Sequence, residues 1–248
     1  MSKIAALPAM LTLGNLVCGF HAIYFASKGS FELAAWMVLI AMIFDALDGK
    51  VARLMHVSGD FGAELDSLAD VVSFGVAPAF IIASMAAHTG SEYQRLVWLS
   101  CMVYAVCAAL RLARFNVETA PDEESHRSFH GLPSPGAAGQ VVSLVILSQH
   151  LQQPPYEIAF VQRLLPSVTF FSGVLMVSRI RYPHLVTRFL GGHHAFAEIV
   201  VLAIAVLLLV THKEFTLAAC FTLYTVVGIV GAIRHVFSHK PEEQEPIF

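Results

Sequence analysis

The stretch FDALDGKVARLMHVSGDFGAELDSLAD, residues 44–70, sets five aspartates and Glu64 between segments whose residues otherwise suit lipid. Its surroundings decide the fold class. Of the 248 residues, 56% are hydrophobic and only 13% charged, and the mean hydropathy is +0.68, far from the balance of a water-soluble domain. Runs of ~20 mostly apolar residues are long enough to cross a hydrocarbon core. Working outward from residues 44–70, eight such spans are expected: 8–27, 32–54, 63–87, 95–116, 134–152, 158–178, 195–212 and 215–237. The expected fold is all-α, a polytopic transmembrane helix bundle. The first run carries Gly14 and Asn15 and no clear small-x-small cleavage site, so it is read as a retained helix.

A net charge of -3 supplies no basic field for a nucleic-acid backbone. The four cysteines, Cys18, Cys101, Cys107 and Cys220, lie in apolar runs without a CxxC pair and are expected to be buried packing residues. Lysines and arginines fix an orientation, because cytoplasmic loops keep positive charge. With the N-terminus inside, Lys3, Lys50, Arg53, Arg111, Arg114, Arg127, Arg179, Arg181, Arg188, Arg234 and Lys240 share one side. Lys28, Arg95, Arg163 and Lys213 fall on the other. Both termini and residues 44–70 are therefore expected to be cytoplasmic.

Asp45 and Asp48 stand at i and i+3 near the end of the second span, and Asp66 and Asp70 at i and i+4 near the start of the third. At about 100° per residue, Asp45, Asp48, Gly49 and Ala52 share one helix face, and Gly62, Asp66 and Asp70 another. A turn near residues 54–62 makes the two helices expected antiparallel neighbours, so the carboxylate pairs can face each other. Packed together they repel unless cations lie among them. Hard oxygen ligands suit Mg²⁺ or Mn²⁺, and four carboxylates can hold two such ions, an arrangement that clamps both oxygens of a phosphoryl displacement. Gly49, Ala52 and Gly62 leave room for a substrate on the same faces, or serve close helix packing in lipid. Asp60 and Glu64 fall outside the set and are expected to be solvated or supporting residues.

Asp45-x-x-Asp48-Gly49-x-x-Ala52-Arg53, then eight residues, then Gly62-x-x-x-Asp66-x-x-x-Asp70, resembles the signature of the CDP-alcohol phosphatidyltransferase family, with every fixed position filled. The resemblance implies transfer of a phosphatidyl group from a CDP-linked lipid to an alcohol, with CMP leaving. It implies that Asp45 and Asp66 bridge two metal ions, that Asp48 completes the first site and that Asp70 completes the second. Asp70 would also be the general base. Gly49 and Arg53 would contact the CDP part. Further stretches, PAMLTLGNLVCGF (8–20), RLARFN (111–116), GLPSPGAA (131–138) and SRIRYPHL (178–185), resemble the branch of that family that takes L-serine as the alcohol. Ala9 replaces an Asn common among relatives, which leaves Thr12 and Asn15 as the CDP-lipid contacts expected in the first span. The resemblance covers most of residues 7–190, a membrane domain of six spans. Residues 191–248 would add two helices that pack on that core or on a partner. The resemblance also suggests a homodimer.

Arg111 and Arg114, at i and i+3, can present a fork to a carboxylate, with Asn116 as a neutral partner. Their other reading is anchoring to lipid headgroups. Ser134 as N-cap with Pro135 at the first helical position would start the fifth span and turn free N–H groups toward an anionic substrate. CDP-diacylglycerol and L-serine are thus the expected substrates, with glycerol 3-phosphate or inositol as alternative acceptors. A membrane metal-ion transporter is the alternative from another class, although transport sites usually lie at the bilayer midplane on broken helices.

Overall fold

The computed structural model describes residues 6–55, 60–90, 93–118, 131–154, 160–180 and 207–238. The turn at 56–59, Arg127, Arg181, Arg188, His193-His194 and most of the seventh expected span lie outside them. The described residues form helices and no strand: α1 (Ala6–Ser27), α2 (Phe31–Leu54), α3 (Asp60–Asp70), α4 (Ala77–Thr89), α5 (Gln94–Glu118), α6 (Ser134–Leu151), α7 (Phe160–Val177) and α8 (Lys213–Ser238). Among the described residues, five stretches are long and apolar enough to cross a membrane: Leu7–Ser27, Phe61–Thr89, Gln94–Val117, Phe160–Val177 and Lys213–Ala232. The protein is an all-helical bundle of the polytopic membrane type.

Two expected spans fall short of that measure. Helix α2 carries Glu32, Asp45, Asp48, Lys50 and Arg53, and α6 carries Gln140, Ser143, Ser148 and His150. Helix α6 is the centre of the bundle. It is buried at Ala137, Ala138, Val141, Val142, Val145 and Ile146, and α2, α7 and α8 pack around it. Protein rather than lipid surrounds it, so polar side chains there can find partners.

Helix α1 shows how the sequence sorts protein from lipid. Thr12, Asn15, Gly19, Ala22 and Ala26 are buried at helical spacing, whereas Met10, Val17, Phe20 and Tyr24 are exposed. Small and polar residues face the bundle and large apolar ones face outward, as helix packing in lipid favours. A Cβ on Gly19 would come within 2.8 Å of the Ser73 backbone, so glycine is required for this approach.

Ser73 belongs to a π-helical segment, Val71–Val76, that joins α3 to α4 in one continuous helix. A π-turn inserts a residue and so rotates the helix on its N-terminal side against the helix on its C-terminal side. Here it begins one residue after Asp70. Two neighbours pin it: the Ser73 hydroxyl donates to the Asn15 carbonyl at 3.0 Å, and the buried Tyr104 hydroxyl donates to the Phe74 carbonyl at 2.9 Å.

Two packing expectations are corrected. Helices α2 and α3 do not pack along each other; α1 packs against both, and their carboxylates converge beside it. All four cysteines are free, but Cys220 is exposed, because it lies on an outward face of α8.

Candidate active site

Asp45 and Asp48 from α2 and Asp66 from α3 each place a carboxylate oxygen within 4.8 Å of the other two. Helix α1 completes the wall. Thr12 lies beside Asp48, with its hydroxyl donating to the Pro8 carbonyl at 3.1 Å. Asn15 donates from Nδ2 to Asp70 Oδ1 at 3.0 Å. Asp70 thus stands next to the triple and outside it, held on one side by α1 and on the other by the start of the π-segment. Both α1 residues expected to touch the CDP-lipid are turned toward the aspartates.

The buried polar atoms left without a partner identify what this place lacks. Among the described residues they are Asn15 Oδ1, Asp48 Oδ2, Asp66 Oδ1 and Arg111 Nε. Each unmade hydrogen bond of a buried group costs about 1–3 kcal/mol. All four belong to residues singled out from the sequence, and three are acceptors. Unpaired acceptor oxygens among convergent carboxylates fit a hard divalent cation. Asp45, Asp48 and Asp66 have the donor set for one.

The glycines of the motif are open. A Cβ added at Gly49 or Gly62 would meet nothing within 4 Å. Packing between the described helices therefore does not explain them, and among the described residues the space beside the aspartates is open to a ligand. Ala52 is half-buried on the same face and Arg53 is exposed one residue on.

Helices α5 and α6 form the other side. Arg111 donates from Nη1 to Ser134 Oγ at 2.8 Å and lies within electrostatic reach of Asp70. Asn116 Oδ1 accepts from the Ser67 hydroxyl at 3.0 Å, which fastens the end of α5 to α3 beside Asp66. Arg114, one turn on from Arg111, is exposed. The expected cap of α6 is also corrected. Pro133 is the N-cap, with φ -57 and ψ 139, and its carbonyl accepts the first helical bond, from Ala137 at 2.9 Å. Ser134 is the first helical residue, and its hydroxyl accepts from Arg111 and makes no cap hydrogen bond. Gly131, at φ 94, donates to the Ile180 carbonyl at 2.8 Å, and Leu132 donates to Leu175 at 3.0 Å. These bonds fix the start of α6 against the end of α7. Only glycine suits that φ without strain.

Tyr224 on α8 was not anticipated from the sequence. Its ring lies over Gly136, where a Cβ would be 3.1 Å away, and it is within electrostatic reach of Arg111. No spacing rule links residue 224 to residues 111 and 136; the register of α8 on α6 is needed to see it.

The fold and site together define a class: a helical membrane-type bundle with an acidic centre open to a ligand at one end. The model of the CDP-alcohol phosphatidyltransferase family matches residues 5–178, and the chain belongs to that family. It is 38% identical over 179 residues to a Helicobacter pylori CDP-diacylglycerol–serine O-phosphatidyltransferase, covering 71% of each chain. A Methanocaldococcus jannaschii protein of the same name is 34% identical over 233 residues, 94% of this chain and 96% of that one. A Bacillus subtilis protein, again of that name, is 35% identical and covers 72% of this chain and 90% of its own. The fold resembles the crystal structure of Mycobacterium tuberculosis phosphatidylinositol phosphate synthase with CDP-DAG bound. The TM-score is 0.53 at 22% identity, covering 68% of this chain and 80% of that one. The chain is thus a phosphatidyltransferase of phospholipid synthesis.

Proposed function

We propose that the protein transfers a phosphatidyl group from CDP-diacylglycerol to L-serine, releasing CMP and forming phosphatidylserine. The observation that carries the reading is the convergence of Asp45, Asp48 and Asp66 with unpaired buried oxygens, next to open space at Gly49 and Gly62. The names of the relatives from H. pylori, M. jannaschii and B. subtilis support serine as the acceptor.

Asp45, Asp48 and Asp66 would hold Mg²⁺ or Mn²⁺, with Asp70 contributing to a second ion. Bound there, the ions supply charge neutralisation at the diphosphate and a template for in-line displacement. The chain's own residues do the rest. Gly49, Ala52 and Gly62 admit the CDP head close to the backbone, and the exposed Arg53 suits its phosphates. Arg111 faces the acceptor carboxylate together with the Ser134 hydroxyl, and Arg114 and Asn116 border the entrance. Asp70 takes the proton of the serine hydroxyl as it attacks, at a carboxylate whose orientation Asn15 fixes. The new bond joins the serine oxygen to the phosphatidyl phosphorus, and the bond to the CMP oxygen breaks.

The lysine and arginine distribution supports a cytoplasmic site and cytoplasmic termini. On this reading the acyl chains stay in the bilayer and the serine arrives from the aqueous phase. CMP release by the purified protein with CDP-diacylglycerol and a panel of serine, glycerol 3-phosphate and inositol tests the assignment. Serine is expected to give the largest turnover; a preference for another alcohol contradicts it.

A further inference from the structure

The family match ends at residue 178, yet a helix beyond it reaches the site. We propose that Tyr224 of α8 is an acceptor-positioning residue, which holds the Arg111 guanidinium toward the anionic group of the acceptor. The inference rests on the reading of the site as a phosphatidyltransferase with an acidic acceptor.

The placement of Tyr224 is set by two matched triplets. Phe221, Tyr224 and Thr225 on α8, spaced i, i+3 and i+4, meet Gly139, Gly136 and Gln140 on α6, which have the same spacing. The Phe221 ring occupies the place a Cβ on Gly139 would take. The buried Thr225 hydroxyl shares Gln140 Oε1 with Ser172, each at 3.0 Å. These contacts lock the register of α8. They leave Tyr224 over Gly136, two residues from Ser134, whose hydroxyl accepts from Arg111 at 2.8 Å.

Arg111 needs such help. It is the one cation among the described residues that is bonded at Ser134, within reach of Asp70 and left with a buried, unpaired Nε. A guanidinium donates in a rigid plane, so where it points decides whether it meets a planar anion in a bidentate manner. Ser134 constrains one edge. Tyr224, half-buried and within electrostatic reach of Arg111, constrains it from the α8 side. The additional C-terminal helix then belongs to the acceptor pocket as well as to the packing of the bundle.

Steady-state kinetics of Tyr224→Phe test this, because the ring over Gly136 is kept and only the hydroxyl is lost. The acceptor KM is expected to rise about tenfold, the scale of one hydrogen bond to a charged group, with kcat within about twofold, the CDP-diacylglycerol KM unchanged and the thermal midpoint unchanged. A second variant, Gly139→Ala, displaces Phe221 and with it the register that places Tyr224, and should raise the same KM although both the Tyr224 and Arg111 side chains are kept. A wild-type acceptor KM in Tyr224→Phe overturns the proposal, and so does a parallel change in both substrates' KM with a lowered midpoint. The wild-type acceptor panel separates this from failure of the serine reading. If glycerol 3-phosphate is the acceptor, serine is wrong, and a tenfold KM rise for that anion still supports Tyr224. If neutral inositol is the acceptor, the proposal fails with it.

Discussion

The side-chain amide of Asn15 donates to Asp70 across 3.0 Å, while the backbone carbonyl of Asn15 accepts from Ser73, three positions after Asp70. One residue of α1 therefore grips both the last aspartate of the motif and the π-segment next to it. An amide N–H only donates, so Asp70 must meet it with an acceptor oxygen. A neutral donor on α1 therefore fixes the orientation of the carboxylate.

This relationship makes Asn15 a test of positioning. Asn15→Ala should lower kcat by about 10²-fold, the lower end of what a placed general base contributes, while the CDP-diacylglycerol KM stays within a few-fold. Initial rates at varied donor concentration measure both. A kcat near wild type would show that Asp70 needs no anchor on α1.

The acidic triple predicts a dependence on divalent cations. Chelation should abolish CMP release, and Mg²⁺ or Mn²⁺ should restore it. Mn²⁺ binding followed by electron paramagnetic resonance should weaken at least about tenfold in Asp66→Asn, since one of three convergent carboxylates is lost. Unchanged Mn²⁺ affinity in that variant would separate the triple from the metal.

Gly19 and Gly49 should respond oppositely to the same added methyl. Gly19→Ala drives a Cβ into the Ser73 backbone and should cost about 1–3 kcal/mol, the range for overpacking, seen as a lowered thermal midpoint. Gly49→Ala meets no atom of the described residues within 4 Å, so the midpoint should hold while the KM for CDP-diacylglycerol rises.

Tyr104→Phe removes the hydroxyl that satisfies the Phe74 carbonyl inside the π-segment. Leaving that buried carbonyl unpaired should cost about 1–3 kcal/mol. The π-turn re-aims Asp70, so kcat should fall as well, with Mn²⁺ affinity unchanged. Thermal unfolding and turnover of the same preparation read both effects.

The aspartates were legible because each pair sits at helical spacing within one stretch, but that Asp66 joins Asp45 and Asp48 while Asp70 turns to Asn15 follows from the packing of α1 against both helices. The helical class came from apolar runs in the same direct way. What escaped was set by contacts distant in sequence. No local signal marks Val71–Val76 as a π-segment, because its partners are Asn15, Gly19 and Tyr104. Ser134 has the residue type of an N-cap, but Arg111 takes its hydroxyl and the role passes to Pro133. Two helices joined by a short turn were expected to pack, yet α1 packs against both and leaves the gap beside Gly49 and Gly62. Tyr224 lies beyond any motif, and only the register of α8 on α6 brings it to Arg111.

The most direct test of the central claim, that these aspartates move a phosphatidyl group onto serine, is serine-dependent CMP release by Asp70→Asn. The substitution keeps an acceptor oxygen for Asn15 and removes the base. The account predicts a folded protein that binds CDP-diacylglycerol with affinity within a few-fold of wild type and releases CMP at less than about one hundredth of the wild-type rate. Near-normal serine-dependent release by that variant would contradict it.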